Sequence, residues 1–270
     1  MQDDRQYTAA ALQQRLVIAN WKAKGNTSLL RQTVRALADA AADDESLNAK
    51  KNRASFILCP PFPYIGLAAA YATDKTDSFS VGAQDIDIPL SGISGQTGDV
   101  IGAVLYDSGS RYVIIGHSDR RKNTGEGDDL IGAKLQAAAQ SGLIPILCVG
   151  EGADVRAKGP DAVFDMLDRQ MNVLLDLSVP CIVAYEPIWA IGTGVVAAPD
   201  QIKDIISHLR FWMQEHLAHL KEWRMVYGGS VVPASAPDIL SVEGVDGVLV
   251  GGASLIASDI VAIYKAACQI

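Results

Sequence analysis

Three side chains in this sequence could together move a proton. Glu186 follows the apolar run CIVAY (181–185) and precedes Pro187. His117 follows YVII (112–115) and a glycine, in the segment GHSDRR (116–121). Lys22 closes NWK (20–22), with Asn20 two residues before it. A carboxylate, an imidazole and an ammonium are a base, a proton donor and a cation, the set used by general acid–base chemistry with electrostatic support. No serine or cysteine has a base at the spacing of a nucleophilic motif, and no metal-ligand cluster is present. His208, His216 and His219 fall together on one helical stretch, which marks them as surface residues.

Three further segments suit an anion. They are IGTG with Gly192, GGS ending in Ser230, and VGGAS with Gly251 and Gly252. Glycine lets backbone N–H groups approach a phosphate closely, and a helix starting near Ser254 adds its positive end. WAIGTG (189–194) has the character of a lid, with apolar Trp189 and Ile191 beside flexible glycines. Its closure would shed water from Glu186 and strengthen it as a base.

Taken singly, each residue has an ordinary reading: a carboxylate ending a strand, a satisfied histidine, a solvated lysine, a turn asparagine. Their shared position outweighs those readings. All of them follow short apolar runs, of which there are eight: 16–20, 55–59, 79–83, 112–116, 143–149, 181–185, 224–227 and 247–250. Each is apolar throughout rather than alternating, as suits strands buried on both faces of a parallel sheet. Helical patterns lie between them. The clearest starts at Pro199, with Ile202, Ile205, Ile206, Leu209 and Met213 on one stripe. Others run over 128–142, over 161–177 with Val163, Leu167, Met171 and Leu174 on one face, and from Ser254 onward. Eight strand–helix units without a linker predict an α/β fold, a single-domain (β/α)8 barrel over residues 16–270. Residues 1–15 are an N-terminal extension, a tail or an added helix. An open doubly wound sheet would show G-x-G-x-x-G after its first strand, where this chain has NWKAKG. In a barrel, function gathers at the C-terminal ends of the strands, and the loops after strands 7 and 8 hold phosphate.

The bulk numbers agree. The chain has 270 residues, 49% of them apolar, enough for one large core. A net charge of −8 argues against nucleic acid or an anionic membrane as partner, so an anionic substrate needs a local positive site. Four dispersed cysteines suit a reducing compartment. No apolar run reaches the roughly 18–20 residues of a membrane span, and the N-terminus has no signal core, so a cytoplasmic protein is expected.

The ordered blocks NWK, CPP (59–61), AQD (83–85), YVIIGHSDRR, CVGE (148–151), AYEPIWAIGTG (184–194), YGGSV (227–231) and DGVLVGGASL (246–255) resemble triosephosphate isomerase over residues 16–268. The resemblance implies interconversion of dihydroxyacetone phosphate and glyceraldehyde 3-phosphate, without a cofactor or a metal, in a homodimer. It implies that Glu186 is the base, His117 a neutral electrophile, Lys22 the cation, and Asn20 a hydrogen-bond donor near the same oxygens. Gly192, Ser230, Gly251 and Gly252 would hold the phosphate. Ile191 and Leu249 would press on Glu186, and Ser118 and Asp119 would support the site. The sequence departs from the family pattern in four places. Asp119 stands where a glutamate is usual, which raises the question of how Lys22 is held. Lys24 adds charge beside the rim. The third loop, SGISGQTGD (91–99), is about two residues longer, with Thr97-Gly98-Asp99 matched to its tip and Ser94-Gly95-Gln96 as the alternative. The N-terminus is extended. These departures motivate a paralogous isomerase of another short sugar phosphate, such as a tetrulose phosphate, as a second hypothesis. A non-catalytic barrel that binds a phosphorylated ligand or a protein partner is a third.

Overall fold

The computed structural model describes residues 14–43, 54–75, 79–90, 95–191, 197–220 and 222–270. Most of the N-terminal extension, residues 192–194 of the expected lid with Gly192, and Ser94 lie outside the described residues. Gln14 and Arg15 are described and are tied to the barrel. Ser55 Oγ donates to Gln14 Oε1 at 3.1 Å, and the Arg15 carbonyl accepts from Ser55 N at 2.7 Å.

Eight parallel strands close on themselves in sequence order. They are β1 (Leu16–Asn20), β2 (Ser55–Cys59), β3 (Phe79–Ala83), β4 (Tyr112–Ile115), β5 (Ile144–Val149), β6 (Cys181–Tyr185), β7 (Trp223–Tyr227) and β8 (Gly247–Val250). Closure is made by β1 against β8, with Leu16 opposite Gly247 and Ala19 opposite Val250. The uninterrupted apolar runs divide into two cores because side chains alternate across a strand. Leu16, Ile18, Ile57, Cys59, Ile114, Ile146, Ile182 and Leu249 fill the barrel. Their neighbours Val17, Ala19, Phe56, Leu58, Val113, Ile115, Leu147 and Val183 face the helices.

The helices are α1 (Thr27–Asp43), α2 (Ile65–Lys75), α3 (Gly102–Asp107), α4 (Ser118–Thr124), α5 (Asp128–Gln140), α6 (Ala153–Arg156), α7 (Pro160–Met171), α8 (Pro199–His216), α9 (Ala236–Leu240) and α10 (Ala257–Gln269). The α8 stripe Ile202, Ile205, Ile206, Leu209 and Met213 is buried, as its 3.6-residue spacing predicts. Truncating such a residue, Leu209→Ala for instance, costs about 2–5 kcal/mol. α8 stops at His216, so His219 lies beyond it. The stretch expected as one helix over 161–177 ends at Met171 and tightens into a 3-10 turn, Asn172–Leu174. The last predicted helix is also two pieces: a 3-10 turn over Gly252–Leu255, then α10. Ile256, extended at φ −117° and ψ 111°, breaks them apart. Cys59, Cys148 and Cys181 are free and buried. No helix among the described residues is long and apolar enough to cross a membrane.

Candidate active site

Because the strands are parallel, their C-terminal ends share one rim. A cavity of about 230 Å³ opens there. It brings together Asn20 and Lys22 after β1, His117 after β4, Glu186 and Ile191 after β6, Ser230 after β7, and Leu249, Gly251 and Gly252 at and after β8. Ser118 and Asp119 adjoin it through the contacts described next.

His117 is the N-cap of α4, and its Nδ1 accepts the backbone N–H of Asp119 at 3.0 Å. A backbone N–H can only donate, so Nδ1 carries a lone pair and the ring proton sits on Nε2. The imidazole is therefore neutral, and the approach of Asp119 Oδ2 to Nδ1 at 3.6 Å is not an ion pair. Nε2 faces Glu186 Oε1 at 3.1 Å. The other carboxylate oxygen, Oε2, accepts the N–H of Ser118 at 3.0 Å. Glu186 and His117 thus satisfy one another at the start of a helix, where an anion is favoured.

Glu186 is buried, and its neighbours are built for close approach. A Cβ at Gly228 would stand 3.0 Å from Glu186 Cγ, so glycine makes room for the carboxylate's stem. The Cys148 thiol lies under it. Burial, and then the charge of Glu186, push that thiol well above its ordinary value, which keeps it protonated.

Lys22 has φ +53°, the only positive φ outside glycine among the described residues. Such a conformation costs about 1–2 kcal/mol and persists where its surroundings over-determine it. Here the Lys22 N–H donates to Asn20 Oδ1 at 2.9 Å. Gln84 Nε2 donates to the Lys22 carbonyl at 2.8 Å and to that of Cys59 at 2.9 Å. The ammonium reaches Asp119 Oδ2 at 3.0 Å, so the shorter acid still meets the lysine. Partial burial opposes ionisation of Asp119, but the hydrogen bond from Lys22, the nearby His117 and the lysine charges outweigh it and hold the carboxyl below its ordinary range. Asn20 spends its side-chain oxygen on the Lys22 backbone, which is a bracing contact.

The side of the cavity where an anion was expected is made by turns. Ser230 Oγ donates to the Ala190 carbonyl at 3.0 Å, linking the β7 loop to the base of the expected lid. Gly252 opens the 3-10 turn, and the first N–H groups of such a turn have no partner inside it. The positive end near Ser254 belongs to this short turn and not to α10. At the lid's base, Trp189 Nε1 donates to Glu151 Oε1 at 2.8 Å, and Arg156 stacks over its ring at 4.3 Å.

Sequence reasoning missed Gln84, although AQD ends β3 on the same rim and the strand-end rule covers it. It placed Gly228 on the rim without anticipating that it makes room for Glu186, and it passed over the chain partners of Trp21. A larger cavity, about 340 Å³, lies under the third loop. Its cations are taken up by carboxylates: Lys134 pairs with Asp85 at 2.6 Å and Glu126 at 2.8 Å, and Arg120 with Glu126 at 2.6 Å. Gln96, on its wall, braces the loop: Nε2 donates to the Ile88 carbonyl at 3.0 Å, and Oε1 accepts from Leu90 N at 2.8 Å. Thr97-Gly98-Asp99 continues from that brace, with Gly98 at φ +96°.

Residues 15–267 match the family model for triosephosphate isomerase. The chain is 38% identical over 258 residues to the triosephosphate isomerase of an Azoarcus species, covering 94% of this chain and 99% of that protein. It is 36% identical over 258 residues to that of Polynucleobacter asymbioticus, covering 93% and 98%. The crystal structure of triosephosphate isomerase from Bartonella henselae superposes with a TM-score of 0.78 at 29% identity, covering 94% of this chain and 98% of that one.

Proposed function

The chain belongs to the triosephosphate isomerase family, and from that premise we propose that it interconverts dihydroxyacetone phosphate and glyceraldehyde 3-phosphate through an enediolate, with Glu186 as the base. One observation carries this reading: Glu186 Oε1 lies 3.1 Å from the Nε2 of a neutral His117, in the cavity that Lys22 also lines. Substrate enters between these two groups and replaces their mutual hydrogen bond. Glu186 leaves the Ser118 N–H and takes a proton from the carbon beside the carbonyl. His117 Nε2–H hydrogen-bonds the carbonyl oxygen and stabilises the charge that develops there. Lys22 supplies a positive charge to the same oxygens and the phosphate. Glu186 then returns its proton to the neighbouring carbon. One C–H bond breaks and another forms, while His117 gives its Nε2 proton to the carbonyl oxygen and takes back the proton of the neighbouring hydroxyl, so that hydroxyl and carbonyl exchange places.

Ser230, Gly251 and Gly252, with Gly192 of the lid, hold the phosphate. Ile191 and Leu249 are the apolar walls against which Glu186 is desolvated. The Lys22–Asp119 pair at 3.0 Å supports the triose reading, because it removes one motive for the tetrulose alternative. A coupled assay on both triose phosphates, set against a four-carbon ketose phosphate, decides. Preference for the triose is the expected outcome; absence of turnover with either triose overturns the assignment.

The protein works as a homodimer in the cytoplasm. Exposed Leu90 and Leu130 on the wall of the third-loop cavity support the first point, and free cysteines support the second. Sedimentation at micromolar concentration tests the dimer, and a monomer there refutes it.

A further inference from the structure

We propose that Trp21 is a positioning residue that locks the segment bearing Asn20 and Lys22 to the anion-binding turn after β8. The inference rests on the functional reading above, and it concerns how two halves of one site keep their spacing. Trp21 is fully buried between two residues that both line the cavity. Its Nε1 donates to the Ser254 carbonyl at 3.1 Å, across 233 residues of chain. Its backbone N–H donates to the Cys59 carbonyl at 3.2 Å, which fixes the start of the segment.

Ser254 is equally buried and passes the connection on. Its hydroxyl donates to the Gly251 carbonyl at 2.6 Å, and its N–H donates to the same oxygen at 2.9 Å. Gly251 in turn lies beside the lysine stem: a Cβ on Gly251 would be 3.7 Å from Lys22 Cε. The path is a closed ring from Lys22 through Trp21, Ser254 and Gly251 back to Lys22. The cation and the phosphate turn are held in one frame, spanned by the indole N–H to the Ser254 carbonyl and, more weakly, by the Ser254 hydroxyl, which also lies 3.4 Å from the Asn20 carbonyl.

The far face of the indole is set by Gly25. That glycine has φ +95°, and a Cβ there would stand 2.6 Å from Trp21 Cε3. Glycine at this point lets the turn lie flat on the ring. A phenylalanine at position 21 would fill the same space and keep the contact with Gly25. It would lack the donor, leaving the Ser254 carbonyl without it in a buried setting.

The test is Trp21→Phe in the full chain. Steady-state kinetics on dihydroxyacetone phosphate are combined with calorimetric titration of inorganic phosphate. KM and the phosphate dissociation constant are expected to rise together, about 3–10-fold, the range for one lost buried hydrogen bond. kcat should stay within about twofold. A lower melting temperature with both constants unchanged would show a purely structural tryptophan and overturn the inference. So would a fall in kcat at constant KM. Ser254→Ala removes the next link without touching the indole, and it decides the matter if Trp21→Phe does not fold. A parallel, smaller rise in both constants is expected, and no rise refutes the ring. If the wild-type protein fails to turn over triose phosphate, the functional reading fails, while the phosphate titration still judges the role of Trp21.

Discussion

Replacing Asp119 with asparagine removes a charge partner from Lys22 while keeping the side chain's size. At 3.0 Å the gross attraction is about 5.5 kcal/mol for an effective dielectric constant near 20, and about 1.4 kcal/mol in bulk water. The lysine and aspartate side chains are 34% and 49% exposed, so water takes back most of this. Exposed pairs of this kind are worth about 0.2–1 kcal/mol net. Lys22 is held independently through its backbone by Gln84 and Asn20. Asp119→Asn should therefore lower kcat/KM only about 2–5-fold, with the larger effect at low ionic strength. Asp119→Glu should stay within about threefold of wild type. The carboxyl is held below its ordinary range, so its contribution is present above its unfolded value and is lost as pH falls through the lower, folded one. The variant's deficit should shrink over that acidic interval. Steady-state kinetics at two salt concentrations and a descending pH series measure all of this. A hundredfold loss with the fold intact would refute the reasoning, because it would make the carboxylate, and not the backbone brace, the element that places the lysine.

Glu186→Asp withdraws the base by one methylene, and a displacement near 1 Å costs on the order of 100-fold; kcat should fall at least that far, and a small effect removes Glu186 from the role. Gln84→Leu takes away both hydrogen bonds to the Lys22 and Cys59 carbonyls, and kcat/KM should drop about tenfold, by kinetics on purified protein; retention of full activity would show that Lys22 needs no brace. Lys134→Met leaves Asp85 and Glu126 with Arg120 alone, in a site where Lys134 and Glu126 are buried. The expected loss is about 3 kcal/mol, seen as a clear fall in melting temperature, and a loss below about 1 kcal/mol contradicts the pairing seen.

The eight strands were legible because each is apolar on both faces, and short runs of that kind, separated by helical patterns, fit a parallel sheet covered on both sides. The rim was legible by the same logic: once CIVAY and YVII are strands, Glu186 and His117 must share an end. What the residue pattern does not carry is contact across the chain. Trp21 and Ser254 are far apart in sequence, and nothing local in NWK announces the bond between them. The neutral state of His117 depends on α4 starting one residue after it, a boundary no hydrophobic period resolves. Lys22 at φ +53° is likewise invisible, since lysine has no preference for that conformation. The break at Ile256 was missed because SLIASDIVAIYKAA is apolar at helical spacing on both sides of it. Asp119 looked like the weak point and meets Lys22 all the same, through backbone placement the letters do not encode. Residues 1–13 of the extension and 192–194 of the lid lie outside the described residues, so those parts rest on sequence alone.

The central claim is that Glu186 moves a proton between two adjacent carbons. Incubating dihydroxyacetone phosphate with the protein in deuterium oxide and following the carbon-bound hydrogens by NMR tests it directly. Deuterium should enter the substrate carbon beside the carbonyl, and product should form, with wild-type protein; Glu186→Gln should lose both. Exchange and turnover that persist in Glu186→Gln would contradict the account.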